Sequence, residues 1–237
     1  MESYAEFGPF YDDVMGDREK SAGRLIEFIR DHLPRARNVL ELACGTGSIL
    51  KHLERQYEIS GLDLSLAMLA VARKKVPKAK LYHQNMVTFR IPEKFDVILC
   101  VFDSINHLLR FSDWKKVFAN AGKHLSEEGL FVFDINTERK LARHASEPPW
   151  VHMFRKGILI MRVTDQGRGL TNWNVKVFEH KKADRYVLHQ EDIKEISFPK
   201  GKIVSALREN FKNVTVVDDN KHDPVRKEES LYFVCRK

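Results

Sequence analysis

The segment Glu41-Leu42-Ala43-Cys44-Gly45-Thr46-Gly47 sets an acid and two glycines between a short apolar run and the start of a helical spacing. Glycine has no Cβ, so at Gly45 and Gly47 the backbone can turn sharply and lie close to a ligand. The first N–H groups of a following helix have no partner within that helix. Sixteen residues beyond Gly47 stands Asp63, in Gly61-Leu62-Asp63-Leu64-Ser65 at the end of a second apolar run. A carboxylate there can accept from both hydroxyls of a ribose, and open α/β sheets bind ligands outside the carboxyl ends of their strands. The expected chemistry is a nucleoside cofactor gripped against main chain. A dinucleotide turn reads GxGxxG, and in this register the third position is Leu50, which weakens a pyrophosphate reading.

Such residues act only where strands and helices present them. Arg37 to Leu42, Tyr57 to Asp63, Lys80 to Gln84 and Leu130 to Ile135 read as strands, and Phe95 to Phe102 is apolar enough for a central parallel strand buried on both faces. Helical spacing follows them: Ile49, Leu50 and Leu53 within 48–56, then Leu66, Leu69 and Ala70 behind a Ser65 cap. Val117, Phe118, Ala121 and Leu125 follow in a helix opened by Ser112. Alternation of this kind predicts a parallel sheet covered on both sides. From about Arg143 to Lys200 the helical period gives way to runs read as antiparallel strands: 150–154, 158–164, 170–179 and 185–198. Helical spacing returns at Ile203, Val204 and Leu207, before final strands at 213–217 and 231–235.

The glycine turn, Glu41 and Asp63, together with Asn85-Met86 and Phe95-Asp96 further along, resemble the class I S-adenosylmethionine-dependent methyltransferases. The resemblance covers about 38–136 and the last two strands. It implies a doubly wound, mainly parallel seven-stranded sheet with an antiparallel last strand, and one domain over 1–237. A lid would occupy 1–34, a Rossmann-like core 35–142 and 201–237, and an inserted antiparallel β subdomain 143–200. It also implies roles. Glu41 and Ala43 shape the turn, Gly45 and Gly47 approach the methionine portion of S-adenosyl-L-methionine, and Asp63 holds the ribose. Leu64 flanks the adenine, Asn85 and Met86 meet its edge, and Val101 offers backbone. Asn85 stands where the family commonly has Asp, and its carbonyl still accepts from an amine, without charge. The aromatic start, with Tyr4 and Tyr11, and the insert are similar to amino-sugar and glycine N-methyltransferases, which places Tyr4, Tyr11 and Asn106 near a small-molecule acceptor.

An amine that arrives neutral needs no base for the transfer itself, whereas a hydroxyl acceptor gains about 10² to 10⁴ in rate from one. His107 is the first candidate for that base and Asp103 the second, each with a packing or capping role as the alternative. Cys44 reads as a small buried residue rather than a nucleophile.

Composition bounds the rest. The chain has 237 residues, 43% hydrophobic and 31% charged, which suits a globular enzyme with a substantial core. Three Cys without CxxC spacing leave no zinc signature, predict no metal and suggest free thiols in a reducing cytoplasm. No signal-peptide core or membrane-length apolar run is evident. The net charge is +7, and 143–200 contributes about +4 of it, from eleven Lys and Arg against seven Asp and Glu. Lys181, Lys182 and Arg185 near Trp173, Phe178 and Tyr186 raise an RNA acceptor as one alternative. A cofactor-binding module without transfer is another. Exposed edges of the inserted strands also suggest a homodimer.

Overall fold

The computed structural model describes residues 4–237, so residues 1–3 of the expected lid lie outside the described residues. The chain begins with a 3₁₀ turn at Gly8–Phe10, α1 (Tyr11–Met15) and α2 (Glu19–His32), followed by β1 (Asn38–Leu42), α3 (Leu50–Leu53) and β2 (Glu58–Asp63). Next come α4 (Leu66–Lys75), β3 (Lys80–His83), β4 (Phe95–Cys100), a 3₁₀ turn at Ser104–His107, α5 (Phe111–His124) and β5 (Leu125–Asn136). After α6 (Glu138–Ser146) stand β6 (Trp150–Phe154), β7 (Gly157–Gly167), β8 (Leu170–Lys182) and β9 (Arg185–Ile196). The chain closes with α7 (Lys200–Leu207), β10 (Asn213–Asp218) and β11 (Ser230–Arg236).

Seven strands form one sheet in the order β10-β11-β5-β4-β1-β2-β3. Strands β1 to β5 pair in parallel, and β11 runs antiparallel to both of its neighbours, β5 and β10. Successive residues of β4 serve opposite faces: Phe95, Ile98 and Cys100 join one core and Val97 and Leu99 the other. That is the pattern of a strand covered on both sides. Trp114, Val117, Phe118 and Ala121 of α5 pack on the first face, and Ala22, Leu25 and Ile29 of α2 on the second. The strand order reverses between β1 and β4, and this switch point opens the crevice in which open α/β sheets take ligands.

The insert is a separate four-stranded antiparallel sheet, β6-β7-β8-β9. Its Leu159, Val175, Val177 and Ile193 bury against Phe7, Phe10 and Val14, so the amino-terminal segment is a layer between insert and core. Glu191 of β9 fixes that segment by accepting from the backbone N–H groups of Ala5, Glu6 and Phe7 at 3.2–3.3 Å.

Three boundaries differ from the sequence expectation. The helix expected over 48–56 shrinks to α3, because the ligand turn extends through Ile49. Strand β5 begins at Leu125, where an irregular pairing with Phe95 precedes the regular register from Leu130. The division expected between 142 and 143 falls inside α6, which Thr137 caps by accepting from the Lys140 N–H and which ends before Pro148-Pro149. Among the described residues no helix is long and apolar enough to cross a membrane.

Candidate active site

Strand β1 ends in a turn with left-handed backbone at Ala43 (φ 53°), Gly45 (φ 53°) and Gly47 (φ 73°). The two glycines do different work. A Cβ on Gly45 would meet nothing within 4 Å, so its backbone faces open cleft, whereas a Cβ on Gly47 would lie 3.2–3.3 Å from Val76 and Ala72. Gly47 therefore lets α4 pack closely, and it lies outside the lining of the cavity that Gly45 borders. Asp63, at the tip of β2, staples the turn: its carboxylate accepts from Gly45 N–H and from Ser65 N–H, both at 2.8 Å. A carboxylate offers about four acceptor sites, and this one stands at a strand tip beside the cavity.

These tips border a cavity of about 260 Å³, which Glu41, Ala43, Leu64, Asn85, Met86 and Val101 also line. Leu64 keeps half its surface exposed there, at 49%. The Asn85 carbonyl already accepts from Val87 N–H at 2.8 Å, so a ligand amine would share that oxygen. Glu41 is 4% exposed and its Oε2 has no hydrogen-bond partner. Burial, with Asp63 nearby, pushes its carboxyl well above the usual range. Arg18, which the sequence reading missed, leaves a buried Nη2 unpartnered at the same cavity and sets its guanidinium 4.4 Å over the Phe102 ring. A buried acid with an unpartnered oxygen and a guanidinium with an unpartnered nitrogen, both near the Asp63 carboxylate, fit a ligand that carries an amino acid. Cys44 is a buried packing residue, and burial pushes its thiol well above the usual range, as the sequence reading held.

A second cavity of about 810 Å³ lies between the core and the inserted sheet, and Tyr4, Tyr11, Arg18 and Phe102 border both. After β4 the chain takes two consecutive left-handed residues, Phe102 (φ 56°) and Asp103 (φ 50°), a strained conformation for side chains with a Cβ. The turn presents Asp103 to the second cavity and His107 to the first. One donor atom from each of Asp103, His107 and Glu195 falls within 4.8 Å of the other two. His107 Nδ1 donates to the Lys194 carbonyl at 3.2 Å, so its Nε2 accepts from the Tyr4 hydroxyl, also at 3.2 Å. Burial keeps that hydroxyl protonated. His107 thus orients Tyr4, with both ring nitrogens engaged. Asn106 does not border the second cavity. It is fully buried, donates to the Asn136 and Ile196 carbonyls and accepts from Asn136 N–H, which welds the β4 turn to β5 and β9.

Asp134, Asn136 and Glu195 were also missed by sequence reasoning. Asp134 and Asn136 sit at the carboxyl end of β5, where the strand-end rule would have pointed. Glu195 comes from β9, and nothing near it in sequence marks it. Burial and the nearby Asp103 push Asp134 up to about 7 and Glu195 well above the usual carboxylate range.

Residues 39–129 match the family described as a methyltransferase domain. Over 119 residues the chain is 34% identical to a dTDP-3-amino-3,6-dideoxy-alpha-D-glucopyranose N,N-dimethyltransferase of Streptomyces fradiae, covering 50% of this chain and 47% of that protein. It thus spans about half the length of the curated relatives it matches. Among solved structures, an S-adenosylmethionine-dependent methyltransferase from Clostridium acetobutylicum superposes with TM-score 0.85 at 26% identity, covering 99% of both chains. Streptomyces venezuelae DesVI shares the fold with TM-score 0.83 at 20% identity, covering 99% of this chain and 98% of its own. Residues 39–129 thus match a methyltransferase domain, and the whole chain has the fold of a solved S-adenosylmethionine-dependent methyltransferase.

Proposed function

We propose that the protein transfers a methyl group from S-adenosylmethionine to a nitrogen or oxygen of a small molecule held in the second cavity. The observation that carries this reading is the pair of adjoining cavities with a common wall, one built for a nucleoside and one roomy and rich in aromatic side chains. When bound, the cofactor supplies an electrophilic methyl group on a sulfonium. The chain's part is to hold and orient. Asp63 takes the ribose hydroxyls, Leu64 and Met86 flank the base, and Glu41 and Arg18 meet the amino and carboxylate groups at the other end. Tyr4, Tyr11 and Phe102 close the wall between the sites and exclude water. Positioning of this kind is worth roughly 7–11 kcal/mol of barrier.

The relatives named as amino-sugar N,N-dimethyltransferases support a small-molecule acceptor. An RNA acceptor gains little from the insert, where Lys181 is held by Glu179 at 2.7 Å. Three buried free cysteines favour a cytoplasmic setting. Exposed Tyr186, Val187 and Leu188 on the outer strand β9 favour a homodimer through the insert, which solution scattering tests. The reaction itself is tested by incubating the protein and S-adenosylmethionine with a metabolite extract and searching by mass spectrometry for products one methylene heavier. Formation of S-adenosylhomocysteine with such a product supports transfer. Failure to bind S-adenosylhomocysteine in calorimetry refutes it.

A further inference from the structure

Glu195 lines the second cavity from β9 and is 5% exposed, and Asn136 Nδ2 donates to its Oε2 at 2.9 Å. The Oδ1 of the same Asn136 amide is buried without a partner, in a residue only 3% exposed that borders the acceptor cavity. Asp103 adds a second carboxylate, turned toward Glu195 by its left-handed backbone. Asp134 lies below them and accepts from Asp103 N–H at 3.3 Å. The charge of Lys140 acts on Glu195 and Asp134, and its Nζ donates to the Ser230 hydroxyl. The cluster therefore gathers three acids against one lysine, and burial makes an unpaired carboxylate costly there.

We infer that Asp103, Glu195 and the Asn136 amide oxygen form a binding site for an ammonium head group, so that the acceptor is a primary or secondary amine that binds as its ammonium ion and passes one N–H proton to the Glu195 carboxylate before its freed lone pair takes the methyl group. This inference rests on the functional reading above and narrows it from nitrogen or oxygen to nitrogen. Three acceptors from three elements suit the three N–H bonds of a primary ammonium, and two carboxylates offset its charge. A neutral hydroxyl would bring one donor and leave the acids uncompensated, which selects against alcohols. The site favours an organic cation over a metal ion because both nitrogens of His107 are already engaged and the cavity beyond carries Tyr4, Tyr11, Trp150 and Trp173, which suit a carbon skeleton. Asn136 is a positioning residue for Glu195 as well as an acceptor.

The test uses cyclohexylammonium and cyclohexanol, a matched pair of one shape, titrated into the protein by NMR with and without S-adenosylhomocysteine. The ammonium should bind the wild-type protein at least about tenfold more tightly than the alcohol. Glu195→Gln keeps an oxygen for the Asn136 amide and should lower ammonium affinity about tenfold, with alcohol binding and S-adenosylhomocysteine affinity unchanged. Asp103→Asn should give the same pattern independently. Equal affinity of the two probes overturns the inference, as does unaltered ammonium binding in both variants. Displacement of the ammonium by Mn²⁺, lost in Glu195→Gln, overturns it in favour of a metal site. Selective amine binding by a protein that fails to bind S-adenosylhomocysteine leaves this site standing and refutes only the transfer reaction, and the converse result refutes only this site.

Discussion

Replacing Asp63 by Ala removes two contributions at once, and the structure separates them. The carboxylate accepts from Gly45 N–H and Ser65 N–H, each at 2.8 Å, and so holds the glycine turn against the tip of β2. Hydrogen bonds to a charged group contribute about 1.5–3 kcal/mol, and the lower end applies to a half-buried side chain, which gives about 3 kcal/mol for the pair. For a chain of this size that is a fall of about 6–12 °C in Tm by calorimetry. Two ribose hydroxyls add a similar amount on the ligand side, so the Kd for S-adenosylhomocysteine should rise about 10²-fold by isothermal titration. Asp63→Asn, which retains one acceptor oxygen, should fall between the two. A variant whose Tm drops while its Kd stays within about threefold would show that Asp63 is a staple of the turn and not a ribose ligand.

The amino-terminal layer is latched to the turn by Asp12, whose carboxylate accepts from Lys75 at 2.8 Å and from Thr46 and Ser48 at 2.7–3.0 Å. Burial opposes its charge, yet the bonds from Lys75 and Thr46 hold it below the usual carboxylate range. Asp12→Ala should speed S-adenosylhomocysteine dissociation about 5- to 30-fold in stopped flow, equivalent to about 1–2 kcal/mol; an unchanged off-rate removes the latch. Gly47→Ala must adopt φ 73° with its Cβ 3.2–3.3 Å from Val76 and Ala72, and should lose about 1–3 kcal/mol of stability in urea unfolding. The Asp134 carboxyl, raised to about 7 by burial and by Asp103, keeps its proton in the fold over a range where the unfolded chain has lost it. Wild-type stability should therefore fall as pH rises from about 4 to about 7, and Asp134→Asn should flatten that slope in urea midpoints taken across the range.

The nucleoside side of the site was legible because its residues are local. A glycine turn and an acid at neighbouring strand ends are set by short stretches of chain, and Gly45, Asp63, Leu64 and Val101 all border the cavity. The packing of Gly47 was not legible, since its neighbours are Ala72 of α4 and Val76 just beyond that helix, which no motif pairs with it. The acceptor side was far less legible. Glu195 arrives from a strand of the insert and Arg18 from ahead of α2, and only tertiary packing brings them to Asp103 and Phe102. Asn106 misled for the opposite reason: a polar residue at a strand end looks available until the buried carbonyls of Asn136 and Ile196 claim it. Helix α6 was lost in a stretch of mixed charge, although Thr137 three residues before Lys140 is a capping arrangement.

Tyr4, Tyr11 and Arg18 serve as a partition common to two chambers, and Glu191 ties the backbone around it to the far sheet. A partition of that kind cannot be lifted from one chamber alone. On the functional reading proposed above, a displacement of these residues that lets the spent thioether out also opens the neighbouring chamber. On that same proposed reading, an acceptor with room for more than one methyl group departs between rounds, so the singly modified species accumulates in solution before the doubly modified one is made.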